Sequence, residues 1–505
     1  MNKLLIGLLV AAIFSCNSER DNTIQSPLKS FQNVLFIISD DLATHAVGCY
    51  GNDEIRTPNI DRLADSGVRF EHAYANSPMC TPSRATIMTG KYPHAVGVTL
   101  LGTALPDSVT TIAEILQSEG FATGIFGKTH FNSKLKHGFD TLVNNQHHQA
   151  YLETVSQPQL PDSVKVRPKW KPFRDPARIW LNAAGATSGN YFEHSQGTYF
   201  AAAAIDFIRK HKQERFFAVA SFVEPHSPFN FAVEYQGKYT PSDRVLPVAS
   251  QEDQRWVPGV FKNLTSTEKQ GIVRSYYSSV EYMDQNVGLL LEELNRLGLS
   301  ENTLVVFVGD HGYLLNHHGR FEKHMMWEEA VTTPLIIRGY RKGALVNAPV
   351  ELADLTPTML TALGITHTEN MHGKPLQGLL EGTTDTHREY TFSEYLTDNK
   401  AMITDGTWKY IFTTGKRDLG SGYATGLGAS GIVHRLYNRM QDPNETRNLA
   451  NFPENQRELL RLQNALVQRF RETHPYASKI SPAQSLEEQL IQFCEPPEGE
   501  DVGSF

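Results

Sequence analysis

Four continuous apolar runs, each ending in polar or charged residues, constrain this chain more than any other feature. Asn33-Val34-Leu35-Phe36-Ile37-Ile38-Ser39 leads into Asp40-Asp41, and Phe121 to Phe126 into Gly127-Lys128-Thr129-His130. Phe216 to Phe222 leads into Glu224-Pro225-His226, and Leu304 to Val308 into Gly309-Asp310-His311-Gly312. Unbroken apolar runs, rather than alternating ones, are what a strand buried on both faces requires. Between them lie stretches of helical length and pattern: Thr110 to Glu119, Tyr199 to Lys212 and about Glu268 to Leu297. A short amphipathic helix opens at Thr57-Pro58 and runs through Leu63, with Thr as cap and Pro in the first helical position. A further strand, Pro334 to Arg338, precedes a helix near Thr356 to Leu363. This alternation predicts an α/β fold with a large mixed, mostly parallel sheet sandwiched by helices. In such a sheet the carboxyl ends of the strands share one edge, where ligands bind, so the four polar endings are expected to converge.

The pattern weakens between about Val143 and Gly197, where His147-His148, several prolines, Trp170 and Trp180 read as a long, substrate-facing insertion. From about Thr386 the character changes again. Tyr390 to Tyr395, Trp408 to Thr413 and Leu436-Tyr437-Asn438 read as antiparallel strands, followed by a helix from about Asn455 to Arg471. The expected organisation is a main domain over 31–385 and a smaller C-terminal α+β subdomain over 386–505.

The first residues do not belong to either. Lys3 followed by the apolar run Leu4 to Phe14 has the length of a signal peptide and is too short to span a bilayer. Ile13-Phe14-Ser15-Cys16 resembles a bacterial lipobox, which implies a signal peptide over 1–15, lipidation of Cys16 and a polar tether over 16–30. The chain is thus expected to be exported, anchored in the cell envelope through that lipid or else secreted. A net charge of −8 and a pI near 6.2 argue against nucleic acid or an anionic membrane surface as partner, so any positive site must be local. Of the four cysteines, Cys16, Cys49, Cys80 and Cys494, no two form a CxxC pair, which argues against zinc ribbons and thiol–disulfide chemistry.

Asp40, Asp41 and Asp310 are three carboxylates expected at one sheet edge. Together they are costly unless a cation neutralises them, and oxygen donors favour a hard one, Ca²⁺ or Mg²⁺. Arg84, Lys128, His130, His226 and Lys323 form a cationic set of the kind that preorganised stabilisation of a tetrahedral anion requires.

Ser77-Pro78-Met79-Cys80-Thr81-Pro82-Ser83-Arg84-Ala85-Thr86-Ile87-Met88-Thr89-Gly90 resembles the signature of the type I, formylglycine-dependent sulfatases (Cys-x-Pro-Ser-Arg, a spacer, then Thr-Gly) at every defined position. Gly127-Lys128-Thr129-His130 resembles that family's Gly-Lys-x-His motif, and Pro225-His226-Ser227-Pro228 its Pro-His-x-Pro motif. Lys323, in Phe321-Glu322-Lys323-His324, stands where the family has its sulfate-binding lysine. The likeness spans about Asn33 to Gly339, with a further family-like piece from Leu436 to Glu445.

The resemblance implies an alkaline-phosphatase-like fold and hydrolysis of sulfate esters of a polysaccharide or oligosaccharide, such as a glycosaminoglycan or algal ulvan. It implies Ca²⁺, more than Mg²⁺, held by Asp40, Asp41, Asp310, His311 and the group at position 80. That group would be formylglycine, made from Cys80 by a maturation enzyme. Its hydrated aldehyde would attack sulfur, Arg84 and Lys128 would orient it, and His130 would take its second proton. His226 and Lys323 would bind sulfate and help protonate the leaving alcohol. Lys134, His147, His148 and Arg320 are candidates for sugar selectivity. The competing enzyme reading is a phosphatase or phosphodiesterase of the same superfamily, which typically uses Ser or Thr with two zinc ions. A surface protein that holds sulfated glycans without cleaving them is the alternative from another class.

Overall fold

The computed structural model describes residues 30–168, 176–239, 246–247, 249–366, 370–415 and 431–498. The signal-peptide and tether expectations, Cys16 and Trp170 lie outside these residues.

Eight strands form the main sheet: β1 (Asn33–Asp40), β2 (Val68–Phe70), β4 (Ala122–Gly127), β5 (Thr141–Val143), β6 (Phe216–Pro225), β7 (Thr303–Gly309), β8 (Leu335–Arg338) and β9 (Ala344–Val346). Their order is β5-β4-β6-β1-β7-β8-β2-β9. The four strands read from the sequence lie side by side at its centre, all parallel. The fifth, β8, pairs antiparallel with β7 and β2, which makes the sheet mixed. Every residue of β1 and β7 is buried, as continuous apolar strands in a two-sided sheet must be. β3 (Ala73–Tyr74) and β10 (Val350–Glu351) form a separate two-stranded pair.

Helices cover both faces. Helices Pro58–Asp65, Gln196–Lys210 and Ser266–Arg296 enclose one apolar core with the sheet. Helices Cys80–Thr89, Ile112–Ser118 and Leu355–Ala362 enclose the other. Thr57 sits at the expected cap position, but its hydroxyl accepts from the Gly48 amide and donates to Asp61 instead of capping its own helix. The 143–197 stretch is more structured than a loop, with short helices at Asn145–Leu152 and Ala177–Trp180 and Trp180 fully buried.

A second sheet, wholly antiparallel, follows in the order β11 (Thr391–Tyr395), β12 (Lys400–Thr404), β13 (Trp408–Thr413) and β14 (Val433–Asn438). β12 went unread because Lys-Ala-Met-Ile-Thr carries no clean alternation. Helices Gln456–Thr473 and Leu486–Phe493 pack on this sheet around a third core. No described helix is long and apolar enough to cross a membrane.

Candidate active site

The strand ends deliver their polar residues to one place, as the topology requires. Asp41 follows β1 with φ of +65°, a left-handed backbone that a side chain rarely adopts and that the surroundings must enforce. They do so through Tyr276, whose hydroxyl donates to the Asp41 carbonyl and accepts from the Ala43 amide. The Asp310 amide donates to the Ser39 carbonyl at 2.9 Å, and the Asp41 amide donates to Asp310 Oδ1 at 3.1 Å, locking the end of β7 to the end of β1.

Cys80 opens the helix Cys80–Thr89, every residue of which is buried. Pro82 sits in the first turn, where no backbone donor is lost, and Gly90 ends the helix in the left-handed conformation with φ of +67°. Ser83 fixes that first turn against the carboxylates by donating to the Asp310 carbonyl. Cys80 itself is 2% exposed.

Ligand atoms of Asp40, Cys80, Asp310 and His311 all lie within 4.8 Å of one another, as do those of Asp40, Asp41, Cys80 and His226. Burying three carboxylates together demands compensation, and the protein supplies part of it. Lys128 bonds Asp40, Lys323 bonds Asp41, and Arg84 Nε donates to Asp310 Oδ2 at 2.8 Å. Lys128, expected to orient the group at position 80, and Lys323, expected to bind sulfate, therefore also neutralise the carboxylates expected to face a cation. Burial favours the neutral acid at Asp40, but Lys128 holds it well below the carboxylate range. Asp310 goes the other way, pushed up to about 6 by burial and by Asp40. Burial opposes protonation of His311, yet Asp310 beside it lifts the imidazole to about 9.

The basic residues ring position 80. Lys323 Nζ is 3.4 Å from Cys80 Sγ. Burial disfavours a thiolate there, but Lys128 and Lys323, helped by His130 and His226, hold the thiol well below its ordinary range. His130, at φ of +56°, meets Thr81 Oγ1 through Nδ1 at 3.2 Å, and burial with Lys128 lowers it to about 4. His226 donates from Nδ1 to the Ser227 carbonyl at 2.7 Å, leaving Nε2 3.9 Å from Asp41 Oδ2.

The donor set fits a hard cation. Asp40 Oδ1 is buried without a hydrogen-bond partner among the described residues. His311 Nε2 likewise makes no hydrogen bond and lies 3.4 Å from Asp41 Oδ1 and 3.5 Å from Asp310 Oδ1. An oxygen-rich cluster with an unshared carboxylate oxygen is what Ca²⁺ or Mg²⁺ takes.

Ser221 went unread in the sequence. Its hydroxyl accepts from Arg84 Nη1 at 2.7 Å and donates to the Lys128 carbonyl, joining β6 to the Arg84–Lys128 pair. Of the candidates for sugar selectivity, Arg320 is buried and held by Glu322 and the Trp256 carbonyl. His148 is buried with its Nε2 meeting the His194 carbonyl, so both serve packing rather than a free surface. His147 closes the cap of its own helix with Asn144, and Lys134 is exposed.

The C-terminal sheet also reaches the site, through the segment that carries Lys323. His324 packs its ring 5.3 Å from that of Tyr395 on β11, and Lys400 on β12 meets Met325. Glu328 pairs with Lys409 on β13 and with Arg439, while its amide donates to Glu445 at 3.0 Å.

A family profile described as "Sulfatase" matches residues 32–365, and a second, described as "N-sulphoglucosamine sulphohydrolase, C-terminal", matches residues 316–473. An N-acetylglucosamine-6-O-sulfatase of Bacteroides thetaiotaomicron is 25% identical over 94% of this chain and 92% of its own. An ulvan-active sulfatase of Formosa agariphila is 29% identical over 74% of this chain and 70% of its own. Among solved structures, a phosphonate monoester hydrolase of Agrobacterium radiobacter superposes with a TM-score of 0.74 at 22% identity, covering 88% of this chain and 96% of that one. A protein solved with its substrate D-glucosamine-2-N,6-O-disulfate gives 0.64 at 22% identity, over 88% and 98%. At that identity the two structures speak to the fold alone.

Proposed function

This chain belongs to the sulfatase family, and from that premise we propose that it removes sulfate from a sulfated polysaccharide or oligosaccharide through a group formed at Cys80. The observation that carries the reading is the position of Cys80. It stands at the buried first turn of its helix, in one ligand cluster with Asp40, Asp310 and His311 and within reach of Lys323. The sugar class rests on relatives that act on N-acetylglucosamine 6-O-sulfate and on ulvan.

Asp40, Asp41, Asp310 and His311 would hold a Ca²⁺ ion together with the group at position 80. When bound, the ion would neutralise the carboxylates and polarise a sulfate oxygen. Formylglycine at position 80, made by a maturation enzyme, would supply a hydrated aldehyde as nucleophile toward sulfur. The protein's own residues do the rest. Arg84, fixed by Asp310, Ser221 and the Lys128 carbonyl, orients the position-80 group with Lys128. Lys323 and His226, both beside Asp41, bind sulfate oxygens and serve the leaving alcohol. His130, neutral because it is buried beside Lys128, takes a proton from the position-80 group.

The catalytic domain in this reading is 31–385, with the subdomain over 386–505 bracing the segment that carries Lys323. Export, and an envelope anchor at Cys16, complete the setting.

Mass spectrometry of the Cys80 peptide from the native host is expected to show formylglycine, and an unmodified thiol in active enzyme would overturn that chemistry. Assay against defined sulfated oligosaccharides alongside phosphate mono- and diesters is expected to show sulfate release as the dominant reaction. Faster phosphate release would favour the phosphatase alternative.

A further inference from the structure

Two adjoining cavities, of about 730 and 560 Å³, lie along the first half of helix Ser266–Arg296 and share Leu246, Pro247 and Gln270. None of their lining residues belongs to the cluster around Cys80. The helix turns one stripe toward them: Ser266, Lys269, Gln270, Val273, Arg274 and Tyr277. That spacing of three and four is a single helix face, about 16 Å long at 1.5 Å per residue. The opposite stripe, Ile272, Tyr276 and Val280, is buried in the core.

The charge of this groove runs against that of the chain. Arg56, Lys238, Arg274, Lys262 and Lys269 line it, with Glu54 as its lone carboxylate among the described residues, in a protein of net charge −8. Lys238 is paired with Glu281. Arg274 donates from Nε to the Gln270 carbonyl, and neither it nor Lys269, Lys262 or Arg56 has a carboxylate partner among the described residues. Partial burial holds the Lys269 ammonium and the Arg274 guanidinium below their ordinary ranges, with no acid offsetting it. Cations kept partly desolvated and unpaired are poised for an anion from outside. The rings of Tyr50, Tyr239 and Tyr277 stand beside them, apolar in body and polar at the tip.

We propose that this groove is a second, non-catalytic binding site for an extended sulfated polysaccharide, gripping sulfate groups of the chain whose ester is cut at position 80. The proposal rests on the sugar substrate argued above. A stripe of separated cations beside aromatic rings suits a polymer with charges at intervals rather than one small anion. The 311–323 segment joins the two sites, giving Leu315, Asn316, His317 and Gly319 to the groove and His311 and Lys323 to the cluster.

The test compares wild type with Lys269→Gln/Arg274→Gln, and with Arg56→Gln, an exposed position whose change threatens no packing. The probes are dextran sulfate and uncharged dextran at physiological salt. Dextran sulfate is expected to bind wild type and to bind the double variant about ten-fold more weakly. Uncharged dextran is expected to bind neither. Hydrolysis of a small aryl sulfate should be unchanged by the substitutions, while KM for a sulfated polysaccharide rises at constant kcat. Equal dextran sulfate affinity in wild type and both variants would overturn the groove. Groove-dependent binding by a wild type that releases no sulfate from any polysaccharide would overturn the substrate reading alone.

Discussion

Arg84 shows how much one side chain can be asked to do at this site. Its guanidinium serves Asp310 through Nε, and the Lys128 carbonyl and Ser221 hydroxyl through Nη1. A lysine carries the same charge but no planar fork, so it can satisfy only part of this set. Arg84→Lys is therefore expected to lower kcat/KM about 10²-fold, on the scale of losing one preorganised donor. Far-ultraviolet circular dichroism should stay as in wild type; retention of full activity would sink the role given to the fork. At this scale the sequence was readable where a motif fixed both residue type and spacing: Cys80, Arg84, Asp310 and His311 all meet. It was silent on Ser221 and Tyr276. Each acts through a hydroxyl aimed at a partner far along the chain, 137 residues away for Ser221 and Arg84 and 235 for Tyr276 and Asp41, and no local pattern marks a serine or tyrosine for that task. The left-handed backbone at Asp41 and His130 was equally hidden, because it is imposed by tertiary contacts.

Elements were legible in proportion to their apolar continuity. β1, β4, β6 and β7 declared themselves through unbroken runs, whereas β12 and the short helices within 143–197 lacked the periodicity that separates strand from loop. The close approach of strands explains one residue the motif alone did not. Gly127 ends β4 at φ of +120°, and a Cβ there would fall 1.9 Å from the Ser221 carbonyl oxygen. Gly127→Ala must part β4 from β6 just where Lys128 and His130 leave the sheet. A loss of stability greater than about 1 kcal/mol is expected, with kcat falling more than KM changes, because Lys128 is displaced. Urea unfolding and steady-state kinetics check both, and a variant with the wild-type midpoint would show that the close approach is not obligatory.

At the scale of the molecule, the two sheets meet across a seam of histidines. His94 bonds Glu394 at 2.7 Å and Thr473 at 2.8 Å, and stacks on His474 at 5.2 Å. His372 stacks on Tyr92 at 4.7 Å. Burial lowers all three imidazoles to about 3, helped by Arg469 at His94 and by His94 at the other two. Between the ordinary value of 6.5 and that value, the unfolded chain binds protons here that the folded chain does not, so stability falls as pH drops through this window. Glu394, pushed by burial well above the carboxylate range, has the opposite sign. It takes its proton in the folded state first, a contribution complete once pH is below 4.5, the ordinary value. Below that the histidines act unopposed at the seam. The thermal midpoint of His474→Phe is expected to fall less steeply than that of wild type between about pH 4.5 and 3; parallel curves would remove the seam from the account. The division into a mostly parallel sheet and an antiparallel one was legible from the change of pattern near Thr386. The seam was not, because its members come from places as distant as Tyr92, His372 and His474.

The clamp of the second sheet on the Lys323 segment can also be viewed in time. A chain emerging N-terminus first presents position 80 long before Lys409 and Glu445 exist to hold Glu328 in place. Until those residues arrive, the segment bearing Lys323 is fastened only from the chain that precedes the second sheet, by Asp41 at Lys323 and by Tyr74 at Glu328. An enzyme that modified Cys80 during synthesis would thus meet it before the second sheet exists to brace that segment.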